Sequence, residues 1–156
     1  MIKTVNFPEN FEPKNCPVHA RNEIAINAPV KDVWNWLIHV NTWPDWYPNS
    51  SNIKILNQRN GMLAADTQFK WRTFNTNITS TMKKYQPYEQ LAWEAKGFGI
   101  HAYHGWLIVP KENSVQVITE ETQNGLLPKL FGGFIQKGLL KQHQIWLEGL
   151  KKMSEA

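Results

Sequence analysis

Apolar and polar residues alternate through Glu23-Ile24-Ala25-Ile26-Asn27-Ala28, the period of a strand with one buried face. Pro29 then opens a helix, because Val30, Val33, Trp34, Leu37 and Ile38 recur at helical spacing and put one face toward a core. Thr42-Trp43-Pro44-Asp45-Trp46-Tyr47-Pro48 predicts a short second helix, with Thr42 placed to cap, Asp45 three residues on and Pro48 as terminator. From Ser51 to Gln123 the pattern changes to short alternating segments. They are separated by turn chemistry at Asn60-Gly61, Asn75-Thr76-Asn77, Pro87-Tyr88-Glu89, Gly97-Phe98-Gly99 and Pro110-Lys111-Glu112-Asn113, which implies six consecutive antiparallel strands. After Asn124-Gly125, the residues Ile135, Leu139, Gln142, Trp146, Leu150 and Met153 follow one another at spacings of four, three, four, four and three. That stripe predicts a long amphipathic C-terminal helix, with Pro128 in its first turn.

This order of elements is α+β. It predicts a curved seven-stranded antiparallel sheet wrapped around the long C-terminal helix, with two short helices between the first and second strands. Residues 1–20, with Pro8, Pro13 and Pro17 among polar neighbours, read as an extended N-terminal arm, and residues 21–156 as a single domain. A strongly curved sheet and one helix leave space between them unless large side chains fill it. The helix carries Gly132-Gly133 and Gly138, which leave room or a kink, whereas eight Trp supply bulk. Cavity and filled core are both open on this reading.

Composition removes several function classes. The net charge is +4, but Lys83-Lys84 and Lys151-Lys152 are the only adjacent basic pairs, and no nucleic-acid motif is present. No apolar run approaches the length of a membrane span, so integral membrane association is not expected. The first residues lack the apolar stretch of a secretory signal and Cys16 is the single cysteine, so the expected location is cytoplasmic. There is no P-loop, G-x-G-x-x-G or G-x-S-x-G motif. His101 and His104 are three apart and point to opposite faces of a strand, and lone Cys16 offers no zinc spacing. The expectation is therefore no metal and no cofactor.

Two segments resemble a known family. Ile26-Asn27-Ala28-Pro29-Val30-Lys31-Asp32-Val33-Trp34 is similar to the strand-to-helix entry of the START-like, or SRPBCC, superfamily, and Trp43-Pro44-Asp45-Trp46-Tyr47-Pro48 to its second-helix signature, in the polyketide cyclase/dehydrase and lipid-transport branch. Asp66-Thr67-Gln68-Phe69-Lys70-Trp71, Leu91-Ala92-Trp93-Glu94 and Leu147-Glu148-Gly149-Leu150-Lys151-Lys152 fall in the order that branch shows, so the resemblance covers residues 21–153. Asp66 stands where many relatives have Gly. The resemblance implies the helix-grip fold and a hydrophobic small molecule or lipid held between sheet and helix, with cyclisation or dehydration catalysed there in some members.

With the large apolar residues facing inward, strand alternation puts Phe69, Trp71, Ile78, Ser80, Met82, Leu91, Trp93 and Ala95 on the concave face. His104 and Trp106 share a face in the next strand, and Val117, Thr119 and Glu121 in the last. The candidate ligand-binding residues are Phe69, Trp71, Met82, Trp93, Trp106, Ile135, Leu139, Gln142 and Trp146. His104, with Glu121 if both converge inside, is the candidate catalytic acid–base group, since an imidazole can transfer protons near neutral pH. Gln142 and His143 interrupt the apolar stripe of the helix, and either can offer the cavity a hydrogen bond. Three functions follow: a non-catalytic carrier of a hydrophobic or amphipathic molecule, a cyclase/dehydrase-type enzyme without metal, or a protein-interaction module with a filled core.

Overall fold

A computed structural model describes residues 1–58 and 60–156. Strand β1 (Val18–Ile26) is followed by helix α1 (Val30–Ile38), a single 3-10 turn at Val40–Thr42, and helix α2 (Trp43–Trp46). Six strands come next: β2 (Ser51–Ile55), β3 (Gln68–Thr73), β4 (Thr76–Gln86), β5 (Gln90–Gly97), β6 (Ile100–Pro110) and β7 (Val115–Asn124). Helix α3 (Leu126–Glu155) ends the chain. The sheet is seven-stranded and antiparallel in the order β1-β7-β6-β5-β4-β3-β2, so the two helices between β1 and β2 span from one sheet edge to the other. This is the helix-grip arrangement. Among the described residues no helix is long and apolar enough to cross a membrane.

Local chemistry sets the hairpins. Phe74 and Asn75, both at positive φ (49° and 58°), make the two-residue turn between β3 and β4, one position earlier than Asn75-Thr76-Asn77 suggested. Such primed turns match the right-handed twist of the flanking strands. Gly99 (φ 70°) closes the β5–β6 hairpin, where a side chain would also collide with Leu127. Two expectations shift. β1 begins at Val18, ahead of the alternating segment that starts at Glu23, because Val18 and Ala20 are buried and pair with Gln123 and Glu121. Thr42 lies in the helical region and makes no side-chain cap; its hydroxyl donates to the His39 carbonyl at 2.7 Å instead.

The main core is aromatic. Trp43 is fully buried, and its ring meets those of Trp71, Trp93 and Trp146 at 5.6, 5.9 and 4.8 Å. Its indole N–H donates to the Leu37 carbonyl at 3.1 Å, which satisfies the polar handle a buried Trp carries. The convex face has a separate cluster. There Val5, Phe7 and Phe11 of the N-terminal arm pack on Ala92 and Tyr103, and the arm includes single 3-10 turns at Glu9–Phe11 and Pro13–Asn15.

Candidate functional site

The register places the predicted inward residues together. Trp93 pairs with His104, and His104 with Glu121, so these three stand side by side across β5, β6 and β7. Trp71 pairs with Ile78, Ser80 with Ala95, and Ala95 with Ala102, which extends the same concave face across β3 to β6. Small Ala95 and Ala102, with Gly138 of α3 opposite, leave a cavity of about 530 Å3. That is within the roughly 300–1,000 Å3 typical of small-molecule sites.

Of the candidate ligand-binding residues, Trp71, Trp93, Ile135, Leu139 and Trp146 line this cavity, and His104 and Glu121 line it with them. The other four do not. Phe69 is fully buried against Trp43 and Trp93, and Met82 lies in the same core. Trp106 stacks on His104 at 5.4 Å and meets Trp146 edge-on, so it backs the cavity wall instead of forming it. Gln142 is only partly buried, because the inner face of α3 runs through Leu139, His143, Trp146, Leu147, Leu150 and Ser154. His143 takes the position assigned to Gln142. The wall also includes Tyr47, Thr73 and Gln123, which strand alternation and the helical stripe did not single out. Gln123 could have been found: it lies two residues from Glu121 and shares its face.

The mouth lies where the β3–β4 turn and the start of α3 approach each other. Phe74, Phe131 and Phe134 line the cavity there while remaining 40%, 55% and 84% exposed. Leu126 and Leu130 at the start of α3, and Phe98 in the β5–β6 turn, are also exposed. α3 is kinked at Phe131 (φ −125°, ψ 25°), immediately before Gly132-Gly133. Poor helix propensity at consecutive glycines accounts for a break at that point.

At the inner end is a buried polar cluster. One oxygen of Glu121, Oε2, lies 3.2 Å from His104 Nδ1 and 3.1 Å from His143 Nε2. The other, Oε1, accepts from the Gln123 amide at 2.8 Å. His104 Nε2 is 2.6 Å from the Thr119 hydroxyl, and the two imidazole rings stack at 4.6 Å. His143 Nδ1 is buried with no partner. Burial lowers the His104 pKa to about 3, Glu121 acting in the opposite sense, so this ring is neutral at pH 7. Burial works against the charge on Glu121, yet the His104 and His143 rings and the Gln123 amide bring its pKa down to about 2. The cluster thus carries an ionised carboxylate, and among the described residues no lysine or arginine lines the cavity to balance it.

The pair considered from sequence, His101 and His104, does lie on opposite faces. His101 is 3.2 Å from Glu94 and edge-on to Phe11 of the arm. What the sequence reading did not assemble is His104, Glu121 and His143, whose potential ligand atoms all lie within 4.8 Å of one another. The convex face of β5–β7, which an interaction module would use, is covered in part by the arm: Val5 N–H donates to Glu120 at 2.9 Å, and the Thr122 hydroxyl to the Phe11 carbonyl at 2.7 Å.

A family profile described as polyketide cyclase/dehydrase and lipid transport matches residues 17–155. The chain belongs to that family. Among solved structures, hypothetical protein jhp0584 from Helicobacter pylori is similar at 25% identity and a TM-score of 0.92, over 99% of this chain and 98% of that one. An aromatase/cyclase, Zhui, from Streptomyces sp. R1128 is similar at 14% identity and a TM-score of 0.75, over 88% and 93%. A START superfamily protein from Mycobacterium smegmatis gives 16%, 0.70, and 88% and 97%. The last two likenesses concern the fold. No curated protein matches in sequence. Family membership does not fix an activity, and the wall of this cavity presents aromatic and aliphatic side chains together with one carboxylate and two imidazoles.

Proposed function

We propose that the protein binds a hydrophobic or amphipathic small molecule between the sheet and α3, with its apolar body against Trp71, Trp93, Leu139 and Trp146 and its polar end at His104, Glu121 and His143. The observation that carries this reading is the cavity itself: about 530 Å3 lined by three of the chain's eight Trp, apolar-walled and ending in convergent polar groups. The exposed Phe131 and Phe134 give an apolar ligand a continuous surface from solvent to interior.

The test is native mass spectrometry of protein purified from its host, followed by titration with the apolar probe 1-anilinonaphthalene-8-sulfonate. A co-purified small molecule, or saturable probe binding weakened by Leu139→Trp, supports the reading. Absence of both overturns it.

A second reading, cyclase/dehydrase-type catalysis, draws on the 3.2 Å contact between His104 and Glu121 inside the cavity. A neutral imidazole beside a carboxylate is an acid–base pair suited to proton transfer at carbon next to a carbonyl. Carrier and enzyme separate on Glu121→Gln. Turnover of a bound polyketide-like ketone that is lost at least tenfold while binding persists marks the enzyme; no turnover by the unaltered protein marks the carrier.

A further inference from the structure

We propose that His104, Glu121 and His143 bind one divalent transition-metal ion at the inner end of the cavity. Three independent features of the cluster support this. The first is spacing. Charge-assisted N–H···O bonds settle at about 2.7–2.9 Å, and the His19–Glu120 pair on the convex face of the same sheet is at 2.7 Å. In the cavity both imidazole nitrogens instead stand 3.1 and 3.2 Å from one and the same carboxylate oxygen. Bonds of about 2.1 Å put neighbouring ligand atoms about 3.0 Å apart at a right angle and about 3.4 Å apart at the tetrahedral angle, a range that includes both distances. The two nitrogen–oxygen spacings fit ligands of a common centre, and all three potential ligand atoms lie within 4.8 Å of one another.

The second feature is support. Metal-bound groups are generally held by partners on their far side. Two of the three groups are held in this way: the nitrogen of His104 that faces away from Glu121 is 2.6 Å from Thr119 Oγ1, and the second oxygen of Glu121 accepts from Gln123, while His143 Nδ1 has no partner. Each ligand comes from a different element, β6, β7 and α3, so an ion here would join the long helix to the sheet.

The third is charge. A buried carboxylate is normally paired or coordinated to a metal, and among the described residues the cavity wall offers it no lysine or arginine. Two imidazoles and one carboxylate suit zinc, iron, cobalt or nickel; calcium and magnesium take oxygen-rich sets. Three protein ligands leave coordination positions for water or for an oxygen-bearing group of a bound molecule. Metal binding does not depend on the proposed carrier function, and the two are measured separately.

The test uses tag-free full-length protein stripped with chelator, then titrated with Co2+ and Zn2+ and read by elemental analysis, visible absorption and thermal unfolding. One ion per chain is expected, with cobalt d–d bands that zinc abolishes and a melting temperature that rises on loading. Glu121→Gln and His143→Ala each lower Co2+ affinity at least tenfold, whereas His19→Ala leaves it unchanged. Circular dichroism verifies that each variant is folded. Absence of a stoichiometric ion, or Co2+ affinity equal in Glu121→Gln, His143→Ala and the unaltered protein, overturns the proposal. Probe binding without a metal site would overturn this inference alone, and a metal site with neither a co-purified molecule nor probe binding would overturn the carrier reading alone.

Discussion

Tyr47 shows how one residue links core and cavity. Its ring stacks on Trp146 at 4.4 Å and nearly parallel, and its hydroxyl accepts from the Asn49 amide at 3.0 Å. Burial pushes the phenol pKa up, the Asn49 bond opposes this, and the charge on Glu121 adds to the rise. The fold therefore favours the neutral phenol. The stability this contributes is complete below the ordinary tyrosine pKa of 10.0 and is lost as pH rises above it, because unfolding then releases the proton the folded state retains. In an alkaline absorbance titration Tyr47 should stay un-ionised until the chain unfolds, and Tyr47→Phe should flatten the alkaline limb of the melting curve. At pH 7 that variant should cost about 1 kcal/mol for the lost Asn49 bond. Ordinary titration of all four tyrosines in the folded protein would contradict this account.

Among the elements, α3 carries the compromise between helix and cavity. Gly138 lines the cavity, and a Cβ there would meet only Phe74 Cε1 at 3.9 Å, an ordinary contact; at Gly133 it would meet nothing within 4 Å. Gly138→Ala should stabilise the protein by up to about 1 kcal/mol through helix propensity while weakening binding of bulky apolar probes. Gly133→Ala should stabilise similarly and leave binding unchanged, a contrast that calorimetry and probe titration resolve. The sheet was legible in the sequence where a strand repeats a large apolar residue at every second position, as Phe69 and Trp71 or Leu91 and Trp93 do, because only one register buries them. The helix was less so. With 3.6 residues per turn, the stripe through Leu139, Trp146 and Leu150 admits an inward neighbour at 142 or at 143, and apolarity does not rank glutamine against histidine. Contact with Glu121 on β7 decides for His143, and that contact is tertiary. Likewise the partner of Val5 is Glu120, 115 positions away, so nothing near the arm reveals what it lies on.

For the molecule as a whole, the two faces of the sheet do different work: the concave face holds the cavity and the convex face anchors the arm. The anchoring is tight at Gly105, where a Cβ would stand 2.5 Å from Val5 Cγ1. Gly105→Ala should therefore lift the first residues of the arm and speed proteolysis after Lys3, while probe binding on the other face stays as it was. Unchanged protease protection would show that the arm yields without detaching. Glu120 and Glu121, adjacent on β7, send one carboxylate to each side: the first binds His19 and the arm, the second meets His104 and His143. A single inserted or deleted residue in β7 would still present a glutamate on either side, but it would turn Val115, Val117 and Thr119 away from the core. Selection on this strand consequently acts on its length as well as its composition, and descendants of the same ancestral gene should align through residues 115–124 without gaps even where their side chains have drifted.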